Sequence, residues 1–86
     1  MSDDLNARFK DAAAAAQNLA SRPDNDTLLR LYALYKQATS GDVSGKRPGF
    51  TNPVGRAKYD AWAALGGTDA DAAKQDYVDL VGSLQD

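Results

Sequence analysis

The sequence predicts an all-α protein, a single domain that covers residues 1–86 and contains four helices. Apolar residues recur at spacings of three and four in four segments, and no segment shows the alternation of a half-buried strand. Glycine and proline separate these segments. A chain of 86 residues has room for one core and little room for an enclosed cavity, so we expect any ligand to bind in a surface groove.

The first helix is predicted from about Asp4 to Ala20. The alanine run 12–16 has high helix propensity and permits close approach of a second helix. Pro23 cannot continue a helix, and Asp24 or Asn25 can cap the next one. The apolar stripe of this first helix has members three or four residues apart: Leu5, Phe9, Ala12, Ala16 and Leu19.

The second helix is predicted from about Asn25 to Thr39, and Gly41 ends it. Its apolar stripe follows the same spacing: Leu28, Leu31, Tyr35 and Ala38. The third helix opens with Asn52 as cap and Pro53 at the first helical position, and it closes at Gly66–Gly67.

The fourth helix opens with TDAD, in which Thr68 and Asp71 approximate a capping box. Its predicted stripe consists of four residues: Ala73, Tyr77, Leu80 and Leu84. Short links join helices one and two, and helices three and four, which favours antiparallel neighbours. Between helices two and three lies the longer segment SGDVSGKRPGFTN, which can reach about 40 Å when extended. Helix two is only about 22 Å long, so the chain can return and leave helices two and three parallel.

The composition excludes several kinds of site. Cysteine and histidine are absent, which removes disulfides, thiolate nucleophiles, and the commonest general base and metal ligand. The opening residues MSDDLNARF are acidic and contain no apolar run, so we expect no signal peptide. No apolar run approaches the length of a membrane span, and we expect a cytoplasmic protein.

The charges are unevenly distributed along the chain. The net charge is −2, yet residues 30–58 carry six basic residues and only Asp42 as an acid. Such a block indicates a local anion site, or it merely solvates exposed faces, and both explanations stay open at this point.

A second stripe runs along helix two. Leu29, Tyr32 and Lys36 lie roughly 100° round from the core stripe, although a surface helix needs only one apolar stripe. The second stripe therefore has something to bind. The alternative is that Tyr32 is a half-buried core residue over which Lys36 extends its aliphatic stem.

Helix three repeats this arrangement. Lys58 precedes Trp62 by four residues, so it lies within the apolar stripe, where desolvating a lysine is costly unless an anion meets it. Lysines and aromatics on two helices suggest a polyanion with a flat aromatic part. Tyr77 adds a hydroxyl from helix four, although packing in the core with its hydroxyl satisfied is the simpler role for it.

These residues carry a resemblance to a known family. YALYKQATSGD at 32–42 resembles the signature YxxYKQATxGD of acyl-CoA-binding proteins, also called diazepam-binding inhibitor. RPG at 47–49 and GRAKYDAWAALGGT at 55–68 continue the match. The resemblance covers nearly the whole chain.

The resemblance implies a four-helix bundle with up-down-down-up topology that binds long-chain fatty acyl-CoA in a surface groove. It implies no catalysis, no cofactor, no metal, no nucleic acid, and a monomer that carries and buffers acyl-CoA in fatty acid metabolism. Seven positions match the coenzyme A head-group site: Tyr32, Tyr35, Lys36, Lys58, Tyr59, Tyr77 and Gln17. Three positions match the acyl-chain site: Phe9, Ala13 and Leu29.

Three residues depart from the family pattern. Gln17 and Val54 stand where many members have lysine, so two cationic contacts are missing. Tyr59 replaces a tryptophan and keeps a smaller aromatic face. We expect these differences to change the affinity and to leave the class of ligand intact.

Other functions remain as alternatives. A hydrolase without His or Cys would need a Ser/Lys pair or paired carboxylates, and no serine is predicted on the Tyr32/Lys36/Lys58 face. A helix-in-groove adaptor for peptides predicts an exposed apolar groove without inward lysines. A nucleic-acid role conflicts with a pI near 4.8.

Overall fold

The computed structural model describes residues 2–85, and within that range it contains four helices and no strand. We number them α1 (Ser2–Ala16), α2 (Asn25–Ser40), α3 (Pro53–Ala63) and α4 (Ala70–Leu84). The predicted all-α, four-helix class is therefore confirmed.

Two helices end earlier than the sequence indicates. α1 stops at Ala16, not at Ala20, because the N–H groups of Gln17 and Asn18 bond to carbonyls three residues back and form a tighter turn. The side-chain amide of Asn18 also donates to the carbonyl of Ala14 at 3.1 Å, which competes with continued helix. α3 gives way to similar turns after its last residue, before the predicted end at 66–67.

The predicted caps of α2 and α3 are confirmed. The Asp24 carboxylate accepts the N–H of Thr27 at 2.8 Å, and the Asn52 side chain accepts the N–H of Gly55 at 3.1 Å. Gly41 follows α2 with a φ of 80°, a conformation that favours glycine.

The predicted cap of α4 is wrong by one residue. Asp69, and not Thr68, caps this helix, because its carboxylate accepts the N–H groups of Asp71 and Ala72 at 3.1 and 3.3 Å. A carboxylate at a helix start also interacts favourably with the positive end of the helix dipole.

The core differs in detail from the predicted stripes. It is a cluster of eight buried residues: Phe9, Ala12, Leu31, Leu34, Ala38, Ala73, Tyr77 and Val81. Leu34 and Val81 are each only 1% exposed although neither was predicted, whereas Tyr35 is 42% exposed. The cause is that α2 packs against both α3 and α4, and α4 against both α1 and α2, so that each of these helices buries more than one stripe.

Paired contacts give the relative directions of α2 and α3. The ammonium of Lys58 lies over the Tyr32 ring, and the ammonium of Lys36 lies over the Trp62 ring. Both partners advance by four residues between the first contact and the second, so the two helices run parallel. The parallel arrangement inferred from the length of the linker is confirmed.

α1 and α4 are parallel for the same reason. Lys74 donates to Asn6, and three residues further along both helices the Tyr77 ring meets the Phe9 ring at 5.1 Å. α2 runs against α4, because Tyr35 contacts Tyr77 while the later end of α2 reaches the chain just before α4 begins. Together these directions are up, down, down, up.

The predicted neighbours are only partly right. The backbones of α1 and α4, of α2 and α4, and of α2 and α3 approach one another closely, whereas those of α1 and α2 and of α3 and α4 do not. The pairs α1/α2 and α3/α4 are thus antiparallel without being closely packed. Between α1 and α2 the rings of Phe9 and Tyr35 stack with centroids 5.5 Å apart. The bundle measures 38 × 29 × 15 Å, so it is thin and presents broad faces.

A buried glutamine joins the ends of three segments. Gln37 is 1% exposed, and its Nε2 donates to Asp42 Oδ1 at 2.9 Å and to the Thr68 carbonyl at 2.8 Å. The same Asp42 oxygen accepts the N–H of Gly67 at 2.8 Å. These hydrogen bonds, first from Gln37 and then from Gly67, hold the pKa of Asp42 below its ordinary value of 3.8.

The linker 41–52 is fixed to the side of α3. Trp62 Nε1 donates to the Gly41 carbonyl at 2.8 Å, and the Tyr59 hydroxyl donates to the Gly45 carbonyl at 3.1 Å. A third attachment is the bidentate ion pair of Arg47 with Asp60. Arg47 Nε donates to Asp60 Oδ1 at 2.7 Å, and Arg47 Nη2 donates to Asp60 Oδ2 at 2.6 Å. The return path of the chain is therefore ordered by side chains of the helix that it leads to.

We predict that Gln37→Met lowers the free energy of unfolding by about 1–3 kcal/mol, because it keeps the side-chain volume and removes both buried donors. Urea denaturation measures the change. The matched control is Gln75→Met, which removes one exposed hydrogen bond to Asp79 and should change stability by no more than about 0.5 kcal/mol. Equal effects of the two substitutions would contradict the structural role of Gln37.

We also predict a pH dependence that comes from Asp42. Its pKa is lower in the folded protein than in the unfolded chain, so its stabilising contribution is present above about 3.8 and is lost as the pH falls through the folded pKa. Wild type should therefore exceed Asp42→Asn in stability at pH 7, with the difference shrinking below pH 3.8. Urea melts across this range measure it, with Asp76→Asn at an exposed position as control.

Candidate functional site

A central groove lies between the last turn of α1 and α2. Its volume is about 340 Å³, and it is open to solvent along one side. Apolar and aromatic side chains from α1, α2 and α4 line it, with one amide at the rim: Ala13, Ala16, Gln17, Leu28, Leu31, Tyr32, Tyr35 and Tyr77.

A lateral groove of about 410 Å³ lies between the first halves of α2 and α3. Leu28, Leu29 and Tyr32 form one wall, and four residues of α3 form the other: Pro53, Val54, Ala57 and Lys58. Leu28 and Tyr32 line both grooves, so the two share a wall. Arg22 and Lys58 supply cations to the lateral groove, and no acidic residue lines it.

A third depression of about 510 Å³ lies beyond Tyr35, on the other side of the aromatic rings. Polar residues from three helices surround it together with Phe9: Asn6, Lys10, Thr39 and Lys74. Tyr35 also lines the central groove, so the third depression adjoins the central groove just as the lateral groove does.

Three aromatic rings form the floor between these depressions. Phe9 and Tyr77 are 7% and 5% exposed, while Tyr35 stands more than a third exposed above them. Burial, followed by the proximity of Tyr35, raises the pKa of Tyr77, so its hydroxyl stays protonated at neutral pH and can donate a hydrogen bond. Tyr77 is thus both a core residue and part of the wall of the central groove, and the two roles predicted for it are compatible.

The two lysines of the predicted site are not desolvated in the way that the sequence indicated. Lys58 is exposed, and its ammonium lies 5.3 Å from the centre of the Tyr32 ring. Lys36 is half-buried, and its ammonium lies 4.9 Å from the centre of the Trp62 ring. Cation–π contacts of this kind contribute about 0.5–1 kcal/mol at exposed sites. The second stripe of α2 therefore has a partner within the chain, namely α3.

The structure brings most of the predicted head-group residues together around one wall. Tyr32, Tyr35, Tyr77 and Gln17 line the central groove, and Lys58 stands beside Tyr32 in the lateral groove. Gln17 is exposed in the turn after α1, so it lies outside the helix that the sequence predicted to continue to Ala20.

Two predicted head-group residues lie outside the three depressions. Lys36 leans over Trp62, and Tyr59 points its hydroxyl at the linker carbonyl of Gly45. The predicted acyl-chain residues are also divided: Ala13 lines the central groove, Leu29 the lateral groove and Phe9 the third depression.

Sequence reasoning missed one residue that lines both main grooves. Leu28 was placed in the core stripe of α2, yet it is half-buried and forms part of the shared wall. Its helical angle lies about 40° from that of Tyr32, which is the signal that could have identified it.

The part of the chain that the structure describes contains neither a cluster of metal-ligating side chains nor a membrane-spanning helix. Within residues 2–85 no group of three or more His, Cys, Asp or Glu side chains could hold a metal ion. Over the same range, no helix combines the length and the apolar character needed to cross a membrane.

Comparison with known proteins identifies the family. The family described as acyl CoA binding protein matches residues 6–81, which is most of the chain. The chain belongs to this family. It is 43% identical to the acyl-CoA-binding protein of Saccharomyces cerevisiae, over 88% of this chain and 87% of that protein. It is 46% identical to acyl-CoA-binding protein homolog 1 of Caenorhabditis elegans, over 88% of each.

The family domain also occurs within longer proteins. The chain is 49% identical to part of enoyl-CoA delta isomerase 2 of Rattus norvegicus. The matched region covers 88% of this chain but only 19% of that protein. Among solved structures, acyl-CoA-binding protein 2 of Oryza sativa superposes with a TM-score of 0.93 at 41% identity, over 96% of this chain and 90% of that one. The family fold predicted from the signature is therefore confirmed.

Membership in the acyl-CoA-binding family gives the grooves a chemical context. The family signature at 32–42 begins with Tyr32 in the wall shared by the two main grooves and ends with Asp42 at the Gln37 junction. One short segment thus combines residues that face open grooves with residues that fix the bundle.

Proposed function

We propose that this chain binds long-chain fatty acyl-CoA esters on the face that carries the central and lateral grooves, and that it carries and buffers them without chemical conversion. The observation that supports this most directly is the wall shared by the two grooves. There, apolar side chains adjoin tyrosine rings and a lysine ammonium, which together match a ligand with an apolar tail and an anionic, aromatic head.

For the head group, Tyr32 and Lys58 are the best-supported contacts. The ammonium of Lys58 lies over the Tyr32 ring and can meet a phosphate, and Tyr32 also lines the central groove, where its ring can stack on a flat aromatic group. Tyr35, Lys36 and Tyr77 adjoin them on α2 and α4, with their hydroxyls or ammonium as hydrogen-bond donors. Gln17 and Tyr59 complete the proposed head-group set, at the groove rim and on α3.

For the acyl chain, the apolar lining of the two grooves supports a path along α2. Ala13 lies in the central groove and Leu29 in the lateral groove, and they share the wall formed by Leu28 and Tyr32. Burial of an alkyl chain contributes roughly 0.8 kcal/mol per methylene, so even partial cover of a long chain gives substantial affinity. Phe9, the third proposed contact, forms the floor on the far side of Tyr35.

We propose a carrier and not an enzyme because the site offers no pair of groups for acyl transfer. The chain has no Cys or His, and no serine or threonine lines the central or lateral groove. The similarity to enoyl-CoA delta isomerase 2 is confined to 19% of that protein, and no step of its reaction is assigned to this chain. The peptide adaptor raised from the sequence has no supporting observation. A monomeric state and a cytoplasmic location stay predictions.

The first prediction of this proposal is that palmitoyl-CoA binds far more tightly than palmitate or free CoA. Palmitate has no phosphates to contact the lysines, and free CoA has no acyl chain to bury in the apolar grooves. Isothermal titration calorimetry with the three ligands measures the difference. Palmitate binding as tightly as palmitoyl-CoA would contradict the head-group assignment.

A second prediction concerns the head-group residues themselves. Tyr32→Phe, Lys36→Ala and Lys58→Ala should each weaken palmitoyl-CoA binding while the bundle stays folded, with a loss of about 1.5–3 kcal/mol per charged contact. Calorimetry gives the affinity, and thermal melts by circular dichroism give the stability. The matched control is Lys46→Ala, an exposed lysine on the linker, which should leave affinity in solution unchanged. If the melts shift strongly while affinity holds, the three residues are structural.

A third prediction concerns Gln17 at the rim of the central groove. Gln17→Lys should tighten palmitoyl-CoA binding by about 0.5–1 kcal/mol, the upper range of an exposed ion pair. The gain should shrink as salt rises, because a solvent-exposed charge interaction is screened. Calorimetry of both proteins at low and high salt tests this. Unchanged or weaker binding at low salt would place Gln17 away from the phosphates.

A further inference from the structure

The linker carries near its end an exposed apolar side chain, Phe50, that the proposed binding site does not use. Phe50 is 82% exposed and Val54 is 64% exposed, at the end of the linker and the start of α3. Phe50 stands on a tight turn that is closed by the hydrogen bond from Asn52 N–H to the Gly49 carbonyl at 3.0 Å. The turn thus presents the ring to solvent, where it contributes nothing to the core of the folded protein.

Basic residues precede and follow Phe50 in the sequence. Residues 43–58 contain Lys46, Arg47, Arg56 and Lys58 and no acid, although the whole chain has a net charge of −2. Arg47 is paired with Asp60, whereas Lys46, Arg56 and Lys58 form no ion pair with any residue in 2–85. We call Phe50, Val54 and these three cations the linker-tip patch.

We propose that the linker-tip patch docks this protein on the surface of an anionic lipid bilayer. An exposed aromatic ring can enter the headgroup layer while neighbouring cations meet lipid phosphates and carboxylates, and the two contributions add. Residues 43–59 contain no acid, and the next acid in the chain, Asp60, is paired with Arg47 at 2.6 Å, so the patch keeps its positive charge. The charge of the patch is therefore complementary to an anionic plane.

The same observations count against other occupants. A long nucleic acid would extend past the tip and meet the acidic remainder of the chain. A second copy of this chain would bring two positive patches together, which costs free energy. An anionic bilayer needs only the tip.

Docking at this point would place a binding groove next to the lipid. Val54 belongs both to the patch and, with Pro53, to the wall of the lateral groove. If the proposed acyl-CoA binding holds, on which this step rests, an acyl chain that leaves the bilayer beside Phe50 reaches an apolar groove without crossing the body of the protein. One ring and three cations give weak, reversible attachment, which suits collection and release.

Vesicle co-sedimentation, without any acyl-CoA, tests the docking. Wild type should bind vesicles that contain phosphatidylserine and phosphatidylcholine, and should not bind vesicles of phosphatidylcholine alone. Phe50→Ser should weaken binding by about tenfold or more, because the ring no longer enters the interface. Lys46→Gln should weaken it by about fivefold, and rising salt should weaken it further.

The matched control is Lys10→Gln, which removes an exposed lysine on α1 and should leave vesicle binding within twofold of wild type. A Phe50→Trp variant adds a reporter, whose emission should shift to shorter wavelength with anionic vesicles only. Buried Trp62, already bonded to Gly41, should not respond.

Three outcomes would overturn the docking proposal. These are no binding of wild type to anionic vesicles, equal binding of wild type and Phe50→Ser, and self-association in sedimentation that Phe50→Ser abolishes. Calorimetry with palmitoyl-CoA in solution, where Phe50→Ser should equal wild type, keeps this test separate from the binding function. Docking on vesicles without binding of palmitoyl-CoA would overturn only the proposed acyl-CoA-binding function. Binding of palmitoyl-CoA without docking on vesicles would overturn only the docking proposal.

Discussion

The parallel alignment of α2 and α3 is the constraint on which the surface that carries the central and lateral grooves depends. Two helices that run the same way and follow each other in the chain require a return path, and residues 41–52 supply it. Because the two helices run parallel, two residues that lie four apart on α2 contact two residues that lie four apart on α3, in the same order. Tyr32 and Lys36 thereby meet Lys58 and Trp62 as matched pairs, which an antiparallel pair would not allow.

The junction at Gln37 keeps that alignment in register. A buried amide that bonds to Asp42 in the linker and to the Thr68 carbonyl, two residues before α4, fixes these segments relative to the end of α2. Asp42 then links the start of the linker to Gly67, beyond the end of α3. Since α4 in turn holds α1, a displacement at this junction would alter the width of the groove between α1 and α2.

Local chemistry explains what could be predicted from the sequence and what could not. Asp24 and Asn52 cap their helices through contacts three residues away, so their neighbours in sequence are sufficient to identify them. Thr68 and Asp69 compete for one cap, and composition does not decide between a hydroxyl and a carboxylate one position apart. The alanine run predicts a longer α1 than the structure has, because the bond from the Asn18 amide to the backbone is invisible to a propensity argument.

The site shows the same division. The helical wheel identified Tyr32 and Lys36 as a second face of α2, and the family signature supplied a ligand class for it. Neither could show that α3 already covers much of that face, because the cover comes from a helix about twenty residues further along the chain. Nor could they show that Phe9, Ala13 and Leu29 fall into three different depressions, which depends on how far α1 stands from α2.

The two lysine–ring contacts have a thermodynamic consequence. A free lysine side chain samples many rotamers, and ordering it at the moment of binding costs roughly 0.5–1.5 kcal/mol. Here the ammonium groups of Lys36 and Lys58 already lie over the rings of a facing helix. Part of that conformational entropy is lost during folding, so each ammonium is preorganised near the face where an anion would arrive.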